Sequence, residues 1–96
     1  MVVVWSNSAK AELKKAYEYI ALDSIQNAKI VRDTLIDLTI ELPNHPEKYP
    51  SDKFKKDNDG TWRAFEMYHY RISYRILKDQ IRIVRLRHTS RSPLNY

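Results

Sequence analysis

Asp52, Lys53 and Lys55 fall in one short segment, and Arg71 and His88 follow it in the last third of the chain. Together they form a set that could act on a phosphodiester. Cleavage of RNA by its own 2′-hydroxyl needs neither a protein nucleophile nor a metal. A base takes the hydroxyl proton, cations hold the phosphorane charge, and an acid protonates the leaving 5′-oxygen. Asp52, Lys53 or Lys55 fits the base or an electrostatic helper, Arg71 a phosphate clamp, and His88 the acid. Further phosphate contacts are expected from Lys53, Arg63, Arg85, Arg87, Arg91 and the terminal Tyr96. The plain alternative is a solvated lysine loop and a hydrogen-bonded surface histidine.

Other chemistries are excluded by residue type. The chain has no cysteine and one glycine, so it has no thiolate nucleophile, cysteine zinc site, P-loop or dinucleotide turn. His45, His69 and His88 show no His-x-x-x-His spacing, and Thr89-Ser90 lacks the turn that exposes a serine nucleophile. Neither a metal nor a cofactor is expected.

Charge points to the same partner class. Residues 1–60 carry nine basic and ten acidic groups, whereas residues 61–96 carry eight basic and two acidic, so the whole positive excess lies in the last third. Seven of those eight are arginine, the planar bidentate phosphate binder, interleaved with His and Tyr that can stack on bases. Such a segment attracts a polyanion, either nucleic acid or an acidic protein segment that mimics it. Outward-facing arginines that merely solvate a sheet remain the alternative.

The elements that must position these groups are readable from the residue pattern. Ninety-six residues without a disulfide framework make one domain, 1–96, with one modest core. Val2-Val3-Val4-Trp5 is a short β-favouring run, and Ser6-Asn7-Ser8 caps a helix whose stripe is Ala9, Leu13, Ala16, Tyr17 and Ile20. Asp23-Ser24 opens a second helix, with Ala28, Val31, Leu35, Leu38 and Leu42 inward and Pro43 as its end. Residues 43–60 read as a loop with three prolines. Thr61–Met67, Tyr70–Leu77 and Gln80–His88 read as strands of an antiparallel meander. In the middle strand Ile72, Tyr74 and Ile76 oppose Arg71, Ser73 and Arg75, which separates a core face from a basic face. The last strand breaks this rule, since Ile81 and Ile83 share parity with Arg85 and Arg87. Trp62 and Tyr74 are assigned to the core, and Tyr68 and Tyr70 to either packing or base stacking. The expected fold is α+β, ordered β-α-α-β-β-β. The longest apolar N-terminal run, Met1 to Trp5, is too short for a leader or a span, so a cytoplasmic protein without membrane contact is expected.

Several segments resemble the RelE/ParE superfamily of bacterial type II toxin–antitoxin toxins. They are the strand ending in Trp5-Ser6, the helix ending Tyr19-Ile20-Ala21-x-Asp23-Ser24, Ala28, the exit Leu42-Pro43, Gly60-Thr61-Trp62-Arg63, Tyr70-Arg71-Ile72-Ser73-Tyr74-Arg75, Ile81-Arg82-Ile83 and Arg87-His88-Thr89-Ser90-Arg91-Ser92-Pro93. The resemblance implies a helical hairpin on a mainly antiparallel, microbial-RNase-like sheet. It also implies the toxin of a plasmid-stabilisation module, held in check by a cognate antitoxin whose acidic or amphipathic segment covers the basic sheet face. RelE- and YoeB-like members cut mRNA on the ribosome, a metal-independent mRNA interferase activity, while ParE-like members poison DNA gyrase. The first target is the expectation here and gyrase the alternative. Arg71 matches the family's arginine strand, and Asp52 and Lys55 lie about where YoeB-like toxins place an acidic base and a lysine. The tail after His88 is closer to the ParE-like His-x-x-Arg-x-Pro pattern.

Overall fold

The computed structural model describes residues 1–91 and 95–96; Ser92 and Pro93, which close the tail motif, lie outside the described residues. The chain runs β1 (Val2–Trp5), α1 (Asn7–Ala21), α2 (Ile25–Ile40), a 3-10 turn (Leu42–Asn44), β2 (Trp62–Met67), β3 (Tyr70–Ile76) and β4 (Gln80–His88). The sheet order is β1-β4-β3-β2, with β1 parallel to β4 and the other pairs antiparallel. This is the expected α+β order, and its two helices cover one face of a four-stranded mixed sheet.

Local chemistry sets the helix ends. Ser6 Oγ accepts from the Ala9 N–H at 3.0 Å and Ser24 Oγ from the Asn27 N–H at 3.1 Å, so each serine satisfies a donor that the first helical turn leaves orphaned. The helices bury Ala9, Ala16 and Leu35 against Ile72, Tyr74, Ile81, Ile83 and Leu86 of the sheet. Leu35 is fully buried, so Leu35→Ala would cost about 2–5 kcal/mol. Tyr74 is core as expected, and its hydroxyl donates to the Pro46 carbonyl at 2.7 Å, which ties the proline-rich loop to the sheet. Burial pushes that phenol up to about 12.

The parity conflict in β4 is resolved by a bulge. Ser73 pairs with Arg85 and Tyr74 with Ile83, so Val84 is an extra residue that flips the alternation. Ile81 and Ile83 before it, and Leu86 after it, all reach the core, while Arg85 and Arg87 turn to the opposite face. Ser6 pins this irregularity: its hydroxyl donates to the Val84 carbonyl at 3.0 Å, and its N–H donates to the Ile83 carbonyl at 2.9 Å. The β2–β3 hairpin turns through Tyr68 and His69, both with positive φ (54° and 67°), the two-residue turn that matches sheet twist but is costly without Gly or Asn.

Candidate functional site

The face of the sheet away from the helices carries Trp62, Ala64 and Glu66 of β2, Arg71, Ser73 and Arg75 of β3, and Arg85 and Arg87 of β4. Trp62 is therefore not core. It shares its parity with Glu66, and its ring lies under the Arg75 guanidinium (4.8 Å) and the Lys55 ammonium (4.8 Å). The loop before β2 is held against this face by backbone pairing, with the Asp52 N–H donating to the Trp62 carbonyl at 2.9 Å and the Ala64 N–H to the Pro50 carbonyl at 3.2 Å. Asn58 braces the following turn, donating to the Trp62 carbonyl at 2.8 Å and accepting from the Gly60 N–H at 2.8 Å; Gly60 adopts φ 93°, a conformation open to glycine.

Asp52 is the centre of the arrangement. Its carboxylate is fully shielded and accepts from Arg71 at 2.8 Å, from the Phe54 N–H at 3.0 Å and from the Tyr96 hydroxyl through a short hydrogen bond. Burial alone would raise its pKa, but the hydrogen bonds from Tyr96, Arg71 and Phe54 outweigh burial and hold it below the ordinary carboxylate range. The Tyr96 phenol is pushed up to about 12, first by burial and then by donating to that carboxylate. Tyr96 is also clamped by its backbone, its N–H on the Phe54 carbonyl at 3.0 Å, and by its ring, which lies under Arg85 (4.5 Å) and edge-on to Trp62 (5.6 Å). Arg71 completes the cluster through Glu66 at 3.1 Å and the Phe54 ring at 4.8 Å.

The structure thus brings together Asp52, Arg71, Arg85, Arg87 and Tyr96, with Lys55 beside Trp62 and Tyr96 and Lys53 over Phe54 (5.2 Å). The space among Asp52, Phe54, Arg71, Ser73, Arg85, Arg87 and Tyr96 measures about 20 Å³, room for a water molecule and not for a nucleotide. Three sequence candidates lie elsewhere. Arg63 has the opposite parity and donates to the Tyr49 carbonyl at 2.7 Å, so its guanidinium braces the loop under the helices. His88 pairs with Tyr70, whose ring is core, and both lie on the helix side of the sheet; the expected acid and the expected clamp are on opposite faces. Arg91 reaches Glu12 of α1 at 3.8 Å on that same side. Glu66, Phe54 and the outward Trp62 are the participants that the sequence reading missed; the shared parity of Trp62 and Glu66 was the available signal. Among the described residues, no three His, Asp or Glu side chains gather in a way that could hold a metal ion, and no helix is long and apolar enough to cross a membrane.

Comparison with known proteins adds a family. A model described as the ParE toxin of the type II toxin–antitoxin system parDE matches residues 3–93. A solved structure titled as the chromosomal ParDE toxin–antitoxin system from P. aeruginosa superposes with a TM-score of 0.71 at 18% identity, covering 92% of this chain and 95% of that one. At that identity the likeness speaks for the fold. No curated protein matches the chain.

Proposed function

The chain belongs to the ParE toxin family of type II toxin–antitoxin systems, and from that premise we propose that it arrests growth by binding and inhibiting DNA gyrase, without chemistry of its own. The observation that carries this reading is the closure of Arg71. Its guanidinium is held by two carboxylates, Asp52 at 2.8 Å and Glu66 at 3.1 Å, so the group best placed to clamp a phosphate is already neutralised. Phosphoryl chemistry needs cations aimed at developing charge and an acid and base bracketing one phosphate. Here His88 stands across the sheet from Arg71, and Asp52, as a buried carboxylate with three donors on it, is a poor base.

A second reading, ribosome-dependent mRNA cleavage, draws support from the gathering of Lys55, Arg71, Arg85 and Tyr96 on one face. One experiment separates the two. Purified toxin is added in parallel to a gyrase supercoiling and DNA-cleavage assay and to a cell-free translation system whose transcript is mapped for new 5′ ends. Loss of supercoiling with an intact transcript is the expected result. New 5′ ends that form only on translating ribosomes, with gyrase unaffected, would replace this reading by the second.

A further inference from the structure

On the helix side of the sheet, a cleft of about 340 Å³ opens between α1 and the ends of β3 and β4. Its floor is the buried pair Ala16 and Leu86, its wall is Tyr70 edge-on to His88 at 5.1 Å, and its rim carries Lys15 and Arg91. The hydrogen-bonding inventory is lopsided. The Ser90 N–H donates to His88 Nδ1 at 3.0 Å, with Ser90 Oγ 2.7 Å from the same nitrogen. A ring nitrogen that accepts an N–H carries no proton, so the neutral imidazole is protonated at Nε2 and offers a donor there. Tyr70 is more than nine-tenths buried and lines the cleft, where its phenol hydroxyl can serve as a further donor. Among the described lining residues the carboxylate is Glu12, and it is shared by Lys15 and Arg91 at 3.8 Å each, which leaves one net positive charge. Donors outnumber acceptors, and the charge is positive over an apolar floor.

The cleft does not stand alone. Tyr19, which lines it, is 71% exposed, and Leu22 (87%) and Ile25 (60%) continue an apolar strip around the turn of the helical hairpin. An acidic group followed by apolar groups on one chain would satisfy both parts, with a buried anchor and a polar rim. The arginine face is less suited to that role, because Arg71 and Arg75 already face carboxylates and Arg85 covers Tyr96.

We propose that this cleft receives an acidic side chain of the antitoxin, whose neighbouring apolar residues lie along Tyr19, Leu22 and Ile25. The proposal rests on the chain's membership of an antitoxin-partnered family and is independent of the toxin's target.

The test is NMR on the full chain, following the His88 ring nitrogens and the Tyr70 ring. The probes are N-acetyl-L-glutamic acid α-amide, its glutamine counterpart and inorganic phosphate. The carboxylate probe should shift His88 and Tyr70 together and saturably, with a Kd of roughly 1–10 mM, and the glutamine probe should leave both unmoved. The double substitution Lys15→Gln and Arg91→Gln, at exposed positions that should fold normally, should weaken binding at least about fivefold. Tyr70→Phe, which keeps the ring, should weaken it as well. Equal responses to both amino-acid probes, or shifts confined to the rim, would overturn the proposal. Phosphate binding tighter than the carboxylate would also overturn it, by assigning the cleft to a phosphate-bearing ligand. The same variants read in the gyrase assay report on the target separately, so an empty cleft leaves the target assignment where it stands.

Discussion

Replacing Asp52 by asparagine keeps the shape of the side chain and removes its charge, which makes it the sharpest perturbation of this fold. The wild-type carboxylate is fully shielded and accepts three hydrogen bonds, two of them from Arg71 and Tyr96. Asparagine has one acceptor oxygen, so its amide N–H₂ must face at least one of these donors. Breaking a buried pair costs about 3–5 kcal/mol. Arg71 keeps Glu66 at 3.1 Å and its side chain is 17% exposed, so it is not left bare. The lower end of that range applies, about 3 kcal/mol, or a melting temperature roughly 12–24 °C lower for a chain of this size. Urea unfolding followed by circular dichroism at pH 7 measures it. The pH dependence adds a second check. Burial raises the Asp52 pKa, but the hydrogen bonds outweigh it and hold the folded value below the unfolded 3.8. Its stabilisation is therefore complete well above 3.8 and is lost as pH falls through the depressed folded value. The stability curves of the wild type and the Asp52→Asn variant should converge in acid. A difference under about 0.5 kcal/mol at pH 7, or a gap that persists in strong acid, would show that the cluster does not stabilise the fold as argued.

Ser6→Ala removes both a helix cap and the bond to the bulge carbonyl of Val84, and should cost about 2 kcal/mol in denaturant unfolding. Ser6→Asp, which can cap α1 but cannot donate to that carbonyl when ionised, should recover only part of the loss. Replacing Tyr68-His69 by Asn-Gly relieves two left-handed residues and should raise the melting temperature, by about 1 kcal/mol or more of stability. In an ultraviolet titration Tyr74 and Tyr96 should ionise near 12, and Tyr96→Phe should delete one of the late-titrating groups. Their raised pKa values add stability that is present below pH 10 and lost as pH rises through about 12.

The elements were legible because period and punctuation agree. Helical spacing in Ala28 and Leu35 and the serine caps placed α1 and α2, although α2 ends at Ile40 and Leu42, read as helical, is buried from the 3-10 turn that follows; β4 spans the residues its β-rich run suggested. The parity conflict between Ile83 and Arg85 was visible in the residues, but its resolution needed a partner strand, because a bulge is defined by pairing. Trp62 reads as core in the sequence, yet its parity with Glu66 puts it on the opposite face. The Asp52 cluster was not legible as a unit: its bonds bridge 19 residues to Arg71 and 44 to Tyr96. Nor could composition reveal that His88 and Arg71, both basic and both on the meander, face opposite ways.

Ser6 and Val84 meet across 78 residues of chain, and among the described residues β1 has no neighbour in the sheet other than β4. During synthesis at about 5–20 residues per second, the first strand therefore waits roughly 4–16 s for its template to be made. Until then the helical hairpin has no complete sheet to cover. A frameshift or stop codon anywhere before Gln80 removes the whole partner of the very first strand, so truncation alleles over most of the chain should leave β1 unpaired and the sheet unformed.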